Sequence, residues 1–153
     1  MLNRDFNDIL SAFSDEGVEY LLVGAYALAA HGVTRATADM DLWIRPAREN
    51  AKRVFRALAR FGAPLSEVTE ADFATPELVF QIGNAPSRVD ILTSLDGVEF
   101  EAAWKRRTTL MVEKLQIPVI GRADLIVNKR ATGRPQDLAD VERLVAGENA
   151  DST

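Results

Sequence analysis

The chain has 153 residues, of which 47% are hydrophobic and 27% charged, values typical of one ordinary globular domain. It contains no cysteine and a single histidine, which excludes disulfides, thiolate chemistry and any metal site that needs Cys or two His ligands. The formal net charge of −5 argues against a protein that coats nucleic acid nonspecifically, because such proteins neutralise phosphates with clustered Lys and Arg.

The amino-terminal segment carries acidic residues among its apolar ones, and no run elsewhere approaches 18 apolar residues. Signal peptides and membrane-spanning helices both need an uninterrupted apolar stretch. We therefore expect a cytoplasmic protein that has no membrane partner.

The first sixty residues alternate between helix and strand signals. In chain order they predict a helix at 3–16, an apolar strand at 18–23, a helix at 25–30, a strand at 38–44 and an amphipathic helix at 47–60. Gly17, Gly24 and Pro46 separate these segments, as residues that end helices and strands commonly do.

The rest of the chain mixes helices and strands irregularly. It predicts a short helix at 70–73, strands at 77–82 and 88–92, a helix at 100–107, two strands within 108–120, a helix at 124–132 and a last helix that begins at Pro135. The last helix has an apolar stripe of Leu138, Val141, Leu144 and Val145, and a disordered polar tail is expected at 148–153. Without the steady alternation of a doubly wound sheet, residues 1–147 predict one α+β domain with a central mixed β-sheet flanked by helices.

The strand at 38–44 carries two acidic residues. Because side chains alternate along a strand, Asp39, Asp41 and Trp43 share one face, and the other face is apolar and points to the core. Two carboxylates about 7 Å apart on one face repel each other unless a positive charge lies between them. Mg²⁺ and Mn²⁺ suit hard oxygen ligands of this kind. Such a pair alone is weak evidence, since most are solvated strand faces.

The segments that precede this strand make the acidic pair more informative. An apolar strand ends in Val23-Gly24-Ala25, a short helix and a loop follow, and Asp39-Met40-Asp41 comes next. This order resembles the nucleotidyltransferase superfamily typified by DNA polymerase beta. The stretch Arg35-x-Thr37-x-Asp39-x-Asp41 resembles its minimal bacterial branch, which includes toxin-like members of the AbiEii type. The resemblance implies a polymerase beta-like fold that ends in a helical hairpin.

The resemblance also implies a third carboxylate on a later strand. In the strand at 88–92, Val89 and Ile91 face the core and Asp90 faces the other way. A buried acid needs a partner or a cation, and the alternative to metal binding is an edge-strand carboxylate that pairs with Arg88 or water. With the resemblance, Asp39, Asp41 and Asp90 become the candidate catalytic residues and the candidate ligands of Mg²⁺ or Mn²⁺.

Four residues are candidates for nucleotide binding by the same resemblance. Backbone N–H groups at Gly24 and Ala25 would hold phosphate, although the family usually has Gly or Ser where this chain has Ala25. Residues 124–144 resemble the carboxy-terminal helical pair of minimal nucleotidyltransferases, and Lys129 there is a candidate triphosphate contact or an exposed helix lysine. Arg35 could contact phosphate or pair with an acid.

Several further residues admit two interpretations each. Asp137 and Asp140 are interpreted as structural residues favoured by the helix dipole, and Asp137 could also pair with Arg134 or Lys129. His31 could be a general base or a helix cap, and Trp43 could border a base pocket or pack against other aromatic residues. The basic cluster Lys105-Arg106-Arg107 could be a solvated helix end or could bind an acceptor phosphate.

The predicted function is therefore Mg²⁺-dependent transfer of a nucleoside monophosphate from an NTP, such as ATP, to an acceptor. A tRNA, a protein and a small molecule all fit as acceptors, and the chain could be the toxin of a toxin–antitoxin pair with a cognate antitoxin partner. The alternative is a catalytically inactive member of the fold that binds nucleotide or a partner, for which Ala25 argues. A third interpretation makes the acidic pair incidental to an α+β domain.

Overall fold

The computed structural model describes residues 3–35 and 39–151, with side chains described as far as residue 147. Thr37 and Ala38 of the predicted motif and strand, and residues 152–153 of the predicted tail, lie outside this range. The helices are α1 (Arg4–Asp15), α2 (Gly24–Ala30), α3 (Arg48–Phe61), α4 (Phe100–Lys105), α5 (Arg122–Thr132) and α6 (Pro135–Asp151), with a 3-10 helix at Glu70–Ala74. The strands are β1 (Tyr20–Val23), β2 (Met40–Ile44), β3 (Val79–Ile82), β4 (Val89–Leu92), β5 (Thr108–Val112) and β6 (Leu115–Val119).

The six strands form one mixed sheet in the order β3-β4-β2-β1-β6-β5. β2 runs parallel to β4 and antiparallel to β1, while β1 runs parallel to β6. The edge strands β3 and β5 pair antiparallel with β4 and β6. The predicted α+β class with a central mixed sheet is confirmed.

The helices form where the sequence supplies caps and apolar faces. The Asn3 side chain accepts a hydrogen bond from the Phe6 backbone N–H and so caps α1, whose buried face packs into the core. Gly62 adopts the left-handed conformation that ends α3, and Gly133 does the same after α5. One hydrophobic core joins these helices to the sheet, and no helix in the described ranges has the length and hydropathy to cross a membrane.

Two expectations about the last helix need revision. Leu138 was predicted to belong to its apolar stripe, but its residue surface is 48% exposed. The inward positions are taken by Asp137, Asp140, Val141 and Leu144, which are all buried, and the helical period then turns Leu138 to the outside. α6 also continues to Asp151, beyond residue 147, after which the polar tail was expected to begin.

Candidate active site

Three of the predicted site residues meet where one strand ends and two others begin. In the antiparallel pair β1/β2, Val23 lies opposite Asp41, and in the parallel pair β2/β4, Asp41 lies opposite Asp90. Gly24 follows Val23 directly and starts α2. The sheet register therefore brings Gly24, Asp41 and Asp90 side by side, although they are far apart in the sequence.

Gly24 has two reasons to be glycine. Its φ of +69° lies in the left-handed region, which side chains disfavour. A Cβ atom at this position would also lie 2.2 Å from Oδ2 of Asp41, far inside van der Waals contact. The turn is therefore shaped so that the backbone passes directly against the Asp41 carboxyl group.

The three carboxyl groups share one electrostatic environment. Burial, followed by the negative charges of Asp90 and Asp39, raises the pKa of Asp41 to about 7, while Arg88 and Lys129 partly oppose this rise. Asp90 is buried, with 8% of its residue surface exposed, and Asp39 lies just before β2. Three acids this close create a strong local demand for positive charge.

Arg88 supplies part of that charge. Its Nη2 atom lies 2.8 Å from Oδ2 of Asp39, and its Nε and Nη2 atoms each donate to one oxygen of Asp90 at 3.2 Å. The pairing of Asp90 with Arg88, one of the alternatives from the sequence, is thus observed, and Arg88 also contacts Asp39. The edge-strand part of that alternative is wrong, because β4 pairs with both β2 and β3.

The oxygen donors suit a hard divalent cation, but their observed arrangement is not that of a ready metal site. Across residues 3–35 and 39–147, no group of three or more His or acidic side chains is arranged so that it could hold a metal ion as it stands. The charges of Asp39 and Asp90 act on Asp41, so the three carboxyl groups are near one another. Asp39 and Asp90, however, are joined by ion pairs with Arg88 and do not converge on one metal position. The donor chemistry therefore fits Mg²⁺ or Mn²⁺, provided that these side chains rearrange.

A cavity of about 240 Å³ opens beside the carboxylate cluster. Its lining includes Gly24 and Asp41 on the sheet side and Asn128, Lys129 and Arg134 on the carboxy-terminal side. The other predicted site residues, Ala25, Arg35, Asp39 and Asp90, do not line it. A larger cavity of about 480 Å³ between α3 and the 3-10 helix contains none of the predicted site residues.

Lys129 is held in this cavity by the last helix. Only 8% of its residue surface is exposed, and its Nζ atom lies 3.3 Å from a carboxylate oxygen of both Asp137 and Asp140. The interpretation of Lys129 as an exposed helix lysine is therefore wrong. Arg35 lies against the same network, with Nη1 2.5 Å from Oδ2 of Asp140.

Asp137 is the most strongly bound acid of this network. Its carboxylate accepts hydrogen bonds from Thr132 Oγ1 and Arg134 Nε, both at 2.8 Å, and from Lys129 Nζ. Although burial opposes ionisation, the hydrogen bonds from Arg134 and Thr132 and the charge of Lys129 hold the pKa of Asp137 well below its usual range. The predicted pairing of Asp137 with Arg134 or Lys129 is thus observed with both.

The minor candidates lie away from the cavity. His31 caps α2, and its Nε2 atom lies 2.7 Å from the carbonyl oxygen of Ile120. Trp43 is buried and packs edge-on against Phe100, so aromatic packing is observed and not a base pocket.

The predicted basic cluster is largely engaged within the protein. Arg106 forms a two-point ion pair with Asp124, and the Arg107 guanidinium lies 3.8 Å from the centre of the Trp104 ring. These contacts agree with its interpretation as a helix end.

Sequence reasoning missed two features of the cavity. Asn128, whose side chain donates to the backbone oxygen of Asp96, lines the cavity beside Lys129. Ser94 lies two residues beyond β4 and also lines it. Nothing in the sequence distinguishes Asn128 from other polar residues of a helix. Ser94, in contrast, follows the strand of Asp90 by two residues, and this position is a sequence signal for a residue near the site.

Residues 2–150 match the model of a family described as nucleotidyltransferase of unknown function (DUF6036). The chain therefore belongs to this nucleotidyltransferase family, and the resemblance to nucleotidyltransferases seen in the sequence is confirmed. No curated protein matches the chain in a sequence comparison.

Solved structures of nucleotidyltransferases share the fold. The lincomycin-bound lincosamide antibiotic adenylyltransferase LnuA has a TM-score of 0.61 at 14% identity, over 94% of this chain and 96% of its own. The enzyme ANT(2")-Ia in complex with adenylyl-2"-tobramycin has a TM-score of 0.61 at 15% identity, over 96% and 89%. A putative nucleotidyltransferase from Thermotoga maritima has a TM-score of 0.56 at 18% identity, over 96% and 92%.

Proposed function

We propose that this nucleotidyltransferase moves a nucleoside monophosphate from an NTP to an acceptor hydroxyl, with Mg²⁺ or Mn²⁺ held by Asp39, Asp41 and Asp90. The observation that carries the proposal is the strand register that sets Asp41 between Gly24 and Asp90. Divalent ions bound there would activate the acceptor oxygen and neutralise charge on the leaving pyrophosphate.

The chain's own residues supply the phosphate contacts. Gly24 and Ala25 begin α2, and the first N–H groups of a helix have no partner within that helix. These groups need no side chain, so Ala25 in place of Ser is compatible with phosphate binding. Lys129 presents a fixed positive charge in the same cavity as Gly24 and Asp41.

Arg35 has a less direct role in this proposal. It contacts Asp140, which also contacts Lys129, and it does not line the cavity. We assign it to the nucleotide site because it could move from Asp140 to a phosphate oxygen, for which a planar guanidinium is well suited.

The acceptor is proposed by class. A small hydroxyl compound is the first acceptor class to test, because two structures with the same fold contain a bound antibiotic or a bound adenylylated antibiotic. A tRNA and a protein hydroxyl are tested beside it. Membership of the toxin-like branch and a cognate antitoxin belong to the proposal on the sequence resemblance alone. A cytoplasmic location belongs to it because no run of the sequence approaches 18 apolar residues.

The test is label transfer from each α-³²P-labelled NTP, with Mg²⁺ or Mn²⁺, to tRNA, cell extract or a panel of hydroxyl compounds. Transfer that Asp41→Asn abolishes and Asp15→Asn leaves intact supports the proposal, because Asp15 pairs with Arg60 on the surface of α1 and α3. Transfer that survives Asp41→Asn contradicts the assignment of the carboxylates.

A second candidate function is nucleotide binding without turnover. The observation that favours it is Arg88, which contacts two of the three carboxylates, together with the absence of a ready metal arrangement within the described residues. Equilibrium dialysis with the labelled NTPs distinguishes the two functions. Nucleotide that binds in a Lys129-dependent manner, with no transfer to any acceptor, would favour this candidate.

A further inference from the structure

Arg88 is placed at the acidic centre by the sheet itself. The parallel register sets Met40 opposite Val89, so the preceding residues Asp39 and Arg88 are neighbours at the start of the two strands. The backbone N–H of Met40 donates to the carbonyl oxygen of Arg88 at 3.0 Å and fixes this alignment. Because side chains alternate, Arg88 lies on the same face as Asp90.

The contacts of Arg88 use the carboxylates that the proposed metal would use. Its Nη2 atom is shared between Asp39 and Asp90, at 2.8 and 3.2 Å, and its Nε atom binds the second oxygen of Asp90. Both oxygens of Asp90 are therefore engaged by one guanidinium. Charge-assisted contacts of this two-point kind are the stronger hydrogen bonds of proteins.

Burial distinguishes this contact from an ordinary surface ion pair. The Asp90 side chain is 11% exposed, whereas that of Arg88 is 37% exposed, so the guanidinium covers a nearly buried acid from the solvent side. Asp41, opposite Asp90 in the register, adds a third carboxyl group to the same face. An acid cluster that is partly withdrawn from water needs a cation close by in any state of the protein.

We propose that Arg88 sets the metal affinity of this centre: it neutralises Asp39 and Asp90 in the metal-free protein and is displaced from them when a divalent ion binds. The inference rests on the proposed function, because it takes these carboxylates as the metal ligands. It accounts for the acids being neighbours without forming a ready metal site, since an arginine holds two of them in its own geometry. Metal binding is then an exchange of one cation for another.

The first test measures Mn²⁺ binding to the full chain by isothermal titration calorimetry, with free Mn²⁺ followed by electron paramagnetic resonance. Arg88→Met removes a unit charge next to the ion and the competitor for its ligands, so the Kd should fall by about tenfold or more. Arg88→Lys keeps a charge but loses the two-point contact, and its Kd should lie between those of Arg88→Met and wild type.

Arg106→Met is the matched control. Arg106 makes the same two-point contact with Asp124, at 3.0 and 2.7 Å, but it belongs to α4 and α5 and not to the carboxylate cluster. Its loss should leave the Mn²⁺ affinity unchanged.

The outcomes separate this inference from the function on which it rests. If wild type binds Mn²⁺ in an Asp41-dependent manner and Arg88→Met binds it equally or more weakly, the inference is overturned while the metal centre stands. If neither wild type nor Arg88→Met binds Mn²⁺, both the metal centre and the inference fail.

A second measurement guards against misfolding of the Arg88 variants. In ¹⁵N-labelled wild-type protein, the side-chain Nε–Hε signal of Arg88 is assigned by its absence from the spectrum of Arg88→Lys. Titration with diamagnetic Mg²⁺ should shift this signal as the guanidinium leaves Asp39 and Asp90, while the corresponding Arg106 signal stays in place. An Arg88 signal that does not move at saturating Mg²⁺ would overturn the exchange.

Discussion

Gly24→Ala is the substitution whose consequence follows most directly from the geometry of the site. The chain offers a close control in Gly17, which has a φ of +68° against +69° for Gly24. A Cβ atom at Gly17 would meet nothing within 4 Å, whereas one at Gly24 would lie 2.2 Å from the Asp41 carboxylate oxygen. The two variants therefore share the same backbone strain and differ in the contact with Asp41.

The backbone strain should cost both variants about 1–2 kcal/mol of stability, the usual penalty for a side chain in the left-handed region. In a chain of this size, each kcal/mol lowers the Tm by roughly 2–4 °C. Only Gly24→Ala also has to push Oδ2 of Asp41 out to ordinary contact, which begins at 3.4 Å. The carboxylate must then move by about 1 Å, a displacement that in a catalytic group can cost roughly 100-fold in rate.

The assay pairs differential scanning calorimetry with NTP-dependent label transfer. We expect similar losses of Tm in the two variants, near-normal transfer by Gly17→Ala, and a loss of about two orders of magnitude by Gly24→Ala. Equal activities in the two variants would refute the reasoning, because the Asp41 position would then not matter. Mn²⁺ affinity measured on the same samples shows whether the displaced carboxylate still contributes to metal binding.

Three more predictions follow from the charges of the site. The pKa of Asp41 is raised from 3.8 to about 7, so between these values the folded protein holds a proton that the unfolded chain has released, and stability falls as pH rises. Urea unfolding at pH 8 with EDTA should therefore find Asp41→Asn more stable than wild type, by on the order of 1–4 kcal/mol, and a less stable variant would contradict this. Asp137→Ala should lose about 3 kcal/mol or more, because it leaves Lys129 buried without one of its acids, whereas Glu142→Ala on the exposed face of α6 should lose little in the same urea titration. Lys129→Met should weaken binding of a non-hydrolysable NTP analogue by about tenfold or more in equilibrium dialysis. Lys52→Met should not, because Lys52 pairs with Glu49 on α3, away from the site.

The sequence predicted the helices, the strands and the faces of the strands more successfully than it predicted which side chains contact each other. Alternation along a strand was enough to place Asp39 with Asp41 and to put Asp90 opposite the core face of its own strand. The alignment of Asp41 with Asp90 could not be predicted, because β2 and β4 are separated by α3, the 3-10 helix and β3, and nothing local sets their register. The sequence alone therefore predicts Arg88 as a partner of Asp90 only. Its contact with Asp39 cannot be predicted, because that contact depends on the register of β2 and β4.

In the last helix as well, the sequence pattern did not predict which residues face the core. Its apolar period predicted Leu138 in the buried stripe, whereas two carboxylates, Asp137 and Asp140, occupy the inward positions. A hydrophobic pattern assumes that acids face solvent, and it fails where a lysine on another helix compensates them. That compensation by Lys129 exists only in the docked α5–α6 hairpin.

Ion pairs within the protein engage the acids next to Asp41, which lines the sheet side of the cavity, and the lysine that lines its helical side. On the sheet side, Arg88 binds two of the acids that surround Asp41, and on the helical side Asp137 and Asp140 bind Lys129. A metal–NTP complex presents the opposite charges in one ligand, with cations for the carboxylates and phosphates for the lysine. Under the proposed function, this complex would compete with internal ion pairs on both sides of the cavity. Neither a free metal ion nor a metal-free nucleotide could satisfy both sides, so we expect the two to bind more tightly together than either does alone.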